Sequence, residues 1–158
     1  MENKAIVPNE FELIDIGLEN FAPYLMNRIM GRYNVHVRQD MVSLGLSTPK
    51  MRALATLVVM DGTQIGELAE FSVVEQSTLS RALDALEQAN MVRRISDTSD
   101  NRATKIFITD QGRAAFKRLW PRMAESYAQM FRGIGEKERQ VFIETLQTIL
   151  RNVHKHKF

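Results

Sequence analysis

Gln76, Ser77, Thr78, Ser80 and Arg81 crowd the start of one predicted helix. These are residue types that can read a duplex. Glutamine can hold adenine through two hydrogen bonds, arginine can do the same for guanine, and serine and threonine adapt to base or phosphate. Helix N-terminal amides also attract phosphate. Further along, "SDTSDNRATKIFIT", residues 96–109, sets Asp100 and Arg102 in a polar turn that runs into an alternating apolar segment. An arginine at the tip of a projecting hairpin can reach a minor groove, where its fixed charge meets negative potential. Asp100 can brace that side chain or bind turn amides. The bland alternatives are a solvated helix face for the first group and an Asp-Asn turn with a solvent-exposed arginine for the second.

Charge placement favours the first pair of readings. The whole chain carries only +2. Between residues 91 and 118, seven basic residues against three acidic ones leave that stretch at +4 and the remainder at −2. Arg93, Arg94, Arg102 and Lys105 belong to the hairpin, and Arg113, Lys117 and Arg118 to the segment after it. A weak net charge thus conceals a basic patch. Asp84 shares the polar side of the recognition segment and would repel DNA, so it is expected to pair with Arg81 or a hairpin arginine.

The elements that must position these residues follow from periodicity. Phe21, Leu25, Ile29 and Tyr33 recur at spacing four, giving a helix from about Asn20 to Val42 with Pro23 in its first turn. Thr48 as N-cap and Pro49 at the first helical position open a second helix, which Asp61-Gly62 ends. "QIGELAEF" predicts a short helix, "SVV" a break, and Glu75 to Ala89 a longer helix with Leu79, Ala82, Leu83 and Leu86 on its core face. Asn90 tolerates the left-handed conformation that closes helices. "MVRRIS" and "ATKIFIT" alternate as two strands. Thr109 caps the next helix, with Gly112 leaving the capping box incomplete and Pro121 expected to bend it. "GIG" separates it from a last helix carrying Phe142, Leu146, Ile149, Leu150 and Val153 on one side. The terminal "RNVHKHKF" reads as a solvated basic tail.

Short helix, tight turn, longer helix, hairpin is the order of a winged helix-turn-helix. The expected class is mainly α with a small β-hairpin wing. The expected domains are a partly ordered arm over 1–17, a winged helix-turn-helix over 47–109, and a helical dimerisation region over 18–45 and 110–156. The first helix and the last two carry apolar stripes that a small winged helix cannot cover alone, which predicts a homodimer.

Composition removes other classes. With 25% charged and 44% apolar residues the chain is an ordinary globular mixture, and the absence of cysteine excludes disulfide scaffolds, thiolate zinc sites and cysteine nucleophiles. His36, His154 and His156 have no metal-ligand pattern, so neither a metal nor a cofactor is expected. There is no Gly-rich phosphate loop and no HExxH motif, and turn chemistry accounts for Asp97 and Asp100, so no enzyme is expected. No leader or membrane-length apolar run is read, and a cytoplasmic location without membrane partners is expected.

"LAEFSVVEQSTLSRALDALEQANMVRRISDTSDNRATKIFITDQG", residues 68–112, resembles the DNA-binding half of the multiple antibiotic resistance regulator (MarR) family. The resemblance is carried by Leu68-Ala69, Ser77-Thr78, Ser80-Arg81, Leu86-Glu87, Asp100, Arg102, Thr109 and Gly112. Asn90 departs from a position where the family most often has glycine, and Gln76 from one where proline is common. The resemblance implies a double-stranded DNA operator as partner, with Gln76, Ser77, Thr78, Ser80, Arg81, Arg94, Arg102 and Lys105 in contact and Asp100 bracing the wing. It also implies interlocking terminal helices in a dimer and a small aromatic or anionic effector, for which Tyr24, Arg28, Tyr33, His36 and Trp120 are candidates. The expected function is an effector-responsive repressor on a pseudopalindromic operator. The alternative is a winged-helix protein–protein adaptor that binds no DNA.

Overall fold

The computed structural model describes residues 12–96 and 104–155. A short helix α1 (Leu13–Ile16) and one 3-10 turn (Leu18–Asn20) lead into α2 (Ala22–Ser43). Then follow α3 (Thr48–Val59), β1 (Thr63–Gln64), α4 (Ile65–Ser72), α5 (Gln76–Gln88), β2 (Val92–Ser96) and β3 (Thr104–Ile108). The long helices α6 (Asp110–Met130) and α7 (Glu136–Lys155) complete the chain. The fold is the mainly α winged helix that the sequence predicts.

Three local differences stand out, and the first two have simple causes. The N-cap of α3 is Ser47, not Thr48, so Thr48 is the first helical residue; Ser47 takes the extended backbone that an N-cap needs. Strand β1 is too short to leave a period-2 signature, yet it adds a third strand by pairing antiparallel with β3, Thr63 opposite Ile106 and Gln64 opposite Lys105. The segment read as a tail is helical as far as Lys155. Helix α6 continues through Pro121 without interruption. The chain divides into two compact units, one ending at Leu119 and one beginning at Trp120.

The first unit is built around one apolar centre. Leu54 and Leu57 of α3, Leu68 of α4, Leu79 and Leu83 of α5, Ile106 of β3 and Leu119 of α6 have no exposed surface. Leu86 and Val92 are almost as deeply covered. Each such side chain contributes about 1.5–3 kcal/mol on burial, which fixes the core face of α5 and leaves its opposite face to solvent. The helices that precede and follow this core behave differently. In α2 only Val37 and Met41 are buried, while Leu25 and Ile29 of the predicted stripe, and Met30 beside them, are exposed. In α7, Phe142, Ile149, Leu150 and Val153 are exposed as well.

Two backbone positions shape the helix-turn-helix. Val73 closes α4 in the left-handed conformation, φ 53° and ψ 50°, and its carbonyl accepts from Arg52 Nη1 at 2.9 Å. Asn90 closes α5 at φ 54°, the conformation that its type predicts.

Candidate nucleic-acid interface

Helix α5 begins at a carboxylate. Glu75 is its N-cap, and its side chain accepts from the backbone amides of Ser77 and Thr78, each at 3.0 Å. The Ser77 hydroxyl also donates to Glu75 Oε2, and Thr78 Oγ1 approaches the same oxygen at 3.4 Å. The Ser77 hydroxyl and amide, then the Thr78 amide, hold the Glu75 carboxyl down at about 2. The sequence reading assigned these amides to phosphate. They are instead satisfied by the protein's own acid, Glu75, which the sequence analysis does not single out. The signal was available: an acidic residue directly ahead of Gln-Ser-Thr at a helix start.

Gln76, Ser77, Thr78 and Arg81 are exposed, and Ser80 is half-buried. Arg81 forms no hydrogen bond or ion pair among the described residues, so its guanidinium stands available on the polar face. Asp84 is paired with a hairpin arginine, Arg94, at 2.7 Å. Arg94 also donates through Nη1 to Glu87 at 2.8 Å and through Nη2 to the Ser80 carbonyl at 3.5 Å, while its backbone amide donates to Glu87 Oε1 at 3.2 Å. Expected at the DNA, this side chain is engaged by α5 and ties the wing strand to the recognition helix. Two carboxylates spaced three residues apart on one helix face offer its planar fork two acceptors.

The wing base is fixed from both ends. The carbonyls of Ala89, Asn90 and Met91 accept respectively from Gln111 Nε2 at 2.9 Å, Thr109 Oγ1 at 2.6 Å and the Thr109 amide at 3.0 Å. Thr109 Oγ1 in turn accepts from the Gly112 amide at 3.1 Å, which is its capping bond to α6. A Cβ on Gly112 would lie 2.1 Å from the Met91 oxygen, so only glycine allows α6 to start this close to the α5–β2 turn. Thr-x-x-Gly is therefore a packing device as well as a cap. Asp61, read only as a helix stop, reaches across: Oδ1 accepts from the Ile108 amide at 2.9 Å, and Oδ2 pairs with Arg113 at 2.8 Å. Arg93 lies over the Phe107 ring, 5.3 Å from its centroid. Lys105 stands on β3 beside Ile95 of β2. Asp97, Asp100 and Arg102 lie outside the described residues.

The effector candidates are placed as follows. Tyr24 and Arg28 meet on α2, with the guanidinium 5.8 Å from the ring centroid. Tyr33 is half-buried and its phenol is raised by that burial. His36 is exposed, and so is Trp120, which belongs to the second unit. A cavity of about 670 Å³ instead opens where α2 meets α3, with Val35, Met41, Leu46 and Pro49 as apolar wall and Arg38 and Lys50 as cations. None of the five candidates lines it. Among the described residues no cluster of His, Asp and Glu could hold a metal ion, and no helix is long and apolar enough to cross a membrane.

Comparisons with known proteins agree with this arrangement. The MarR family profile matches residues 46–104. The crystal structure of a MarR family transcriptional regulator from Silicibacter pomeroyi is 54% identical, covers 94% of this chain and 100% of that chain, and superposes with a TM-score of 0.88. CouR from Rhodococcus jostii RHA1, solved bound to p-coumaroyl-CoA, is 25% identical over 84% of this chain and 94% of its own, with a TM-score of 0.73. The HTH-type transcriptional repressor IacR of Pseudomonas putida is 23% identical over 135 residues, 85% of this chain and 81% of that protein. With a recognition helix sealed on one face and open on the other, and with over half its residues shared with a family member along almost its full length, the chain belongs to the MarR family of transcriptional regulators.

Proposed function

We propose that the chain is a sequence-specific repressor that binds a pseudopalindromic operator as a homodimer and leaves it when a small aromatic or anionic molecule binds. The observation that carries this reading is the division of α5: Leu79 and Leu83 have no exposed surface, whereas Gln76, Ser77, Thr78 and Arg81 are exposed. A helix so fixed can enter a major groove without disturbing the core. Arg81 and Gln76 bear on sequence, Arg102 and Lys105 on backbone and minor groove, with Asp100 bracing the wing. The exposed apolar faces of α2 and α7 support dimerisation through regions 18–45 and 110–156, because patches of this kind on a lone chain mark a protein interface. The cavity with Arg38 and Lys50 on apolar walls suits an aromatic acid or its thioester, in keeping with the ligand that CouR holds.

The test is selection of bound fragments from a random duplex library, followed by titration of the selected operator. Expected results are a two-fold symmetric motif with half-sites about one DNA turn apart, a mass of two chains in solution, and release by an aromatic acid. Leu150→Asp should shift the chain toward monomer and weaken operator binding by about tenfold or more. A monomer that selects no sequence, or a chain that captures protein but not DNA, refutes the reading.

A further inference from the structure

We infer that Glu75 sets the base preference of α5 by turning the first-turn hydroxyls into acceptors. A serine hydroxyl has one hydrogen. In Ser77 that hydrogen goes to Glu75 Oε2, since an ionised carboxylate has none of its own to give. Thr78 Oγ1 leans on the same oxygen, and both backbone amides of this turn donate to the same carboxylate. What Glu75, Ser77 and Thr78 together present outward is therefore lone pairs and a negative charge. Phosphate oxygens and the O6 and N7 atoms of guanine are acceptors as well and find no donor in the hydroxyls or amides of Ser77 and Thr78, which leaves the Gln76 amide as the donor of this turn. The major-groove groups that do fit are exocyclic amines, N4 of cytosine and N6 of adenine. Glu75 is exposed and lies directly ahead of Gln76, so its free carboxylate edge can accept from the same amines. Arg81, one turn along and unpaired among the described residues, keeps the complementary task of donating to guanine or to a phosphate. The helix thus carries an accepting end and a donating middle, which orders the base types read along each half-site. Electrostatically, the charge at position 75 also excludes phosphate from the helix end and so depresses binding to arbitrary sequence.

The inference rests on the DNA-binding reading above and deepens it. The probe is the selected operator with single amino groups deleted, purine replacing adenine or pyrimidin-2-one replacing cytosine, titrated against the full chain. One deletion per half-site is expected to weaken wild-type binding about tenfold. In Ser77→Ala the same deletion should matter less than about twofold. Glu75→Gln, which keeps an acceptor for the helix amides but loses the charge, should bind random-sequence duplex about tenfold more tightly at low salt. Glu75→Asp, which keeps the charge and is itself a good cap, should restore wild-type behaviour and so exclude a folding artefact. If the wild type selects an operator but no amino deletion weakens binding, or if Glu75→Gln binds random duplex no better than wild type, this inference fails and the DNA-binding reading stands. If the wild type selects no sequence at all, both fail together.

Discussion

Replacing Arg94 by methionine separates bracing from DNA contact. The substitution keeps most of the aliphatic stem and removes a guanidinium that donates to Asp84 at 2.7 Å, Glu87 at 2.8 Å and the Ser80 carbonyl at 3.5 Å. These contacts are unequal. The Asp84 side chain is 55% exposed, so its pair is worth about 0.5 kcal/mol or less. Glu87 is 41% exposed and keeps the Arg94 backbone amide as a partner, and the long bond to Ser80 adds little. Because Arg94 itself is only 25% exposed, the combined loss is about 1–2 kcal/mol. For a chain of 158 residues, about 2–4 °C per kcal/mol puts the fall in melting temperature near 2–8 °C, measured at fixed protein concentration. Operator titrations at several salt concentrations supply the second readout. A brace weakens binding with an unchanged slope of log affinity against log salt, whereas a lost phosphate contact lowers that slope by about one. Arg94→Met with wild-type melting and a shallower slope would refute the bracing role.

Three more perturbations follow from the same joints. Gly112→Ala must move the Met91 carbonyl by about 1 Å or more, since the new Cβ would sit 2.1 Å from it; a loss of about 2–4 kcal/mol in denaturant unfolding is expected. Asp61→Ala leaves the Ile108 amide without its acceptor and Arg113 without its partner, lowering stability by about 1–3 kcal/mol and speeding hydrogen exchange at that amide, and Asp61→Asn should lose less. Glu75, held near 2 in the folded chain, contributes stability that is present above the ordinary carboxylate range and is lost as pH falls toward about 2. The melting advantage of wild type over Glu75→Gln should accordingly shrink between about pH 5 and pH 2, and an advantage that grew on acidification would contradict the capping geometry.

Wherever a long apolar period coincided with a terminator, the fold was legible in the sequence. Leu79, Ala82, Leu83 and Leu86 mark the core face of α5, Asn90 its end, and Thr109 the start of α6, because each depends on neighbours within one or two turns. What depended on distant partners was not legible. Strand β1 exists only because β3 lies beside it, and two residues have no period of their own. Arg94 and Arg81 are the same residue type on a basic surface, and only the placement of Asp84 and Glu87 shows that one is engaged and the other open. Gly112 looked like a defect in a capping box, and its reason lies in a carbonyl 21 residues earlier. The exposed stripe of α2 was visible as a stripe, but periodicity does not say whether a stripe meets its own chain or another.

Val73 carries a different kind of consequence. A β-branched residue at φ 53° is disfavoured by about 1–2 kcal/mol against the same turn made by glycine or asparagine, and the residue is 76% exposed, so burial does not recover that difference. The knee of the helix-turn-helix is thus less stable than its composition allows, and Arg52 pins it from outside by holding the Val73 carbonyl. Thermal resistance is consequently adjustable from one surface residue: Val73→Asn relaxes the knee and should raise the melting temperature, and a DNA titration of the same variant reads whether the bend bears on binding at all.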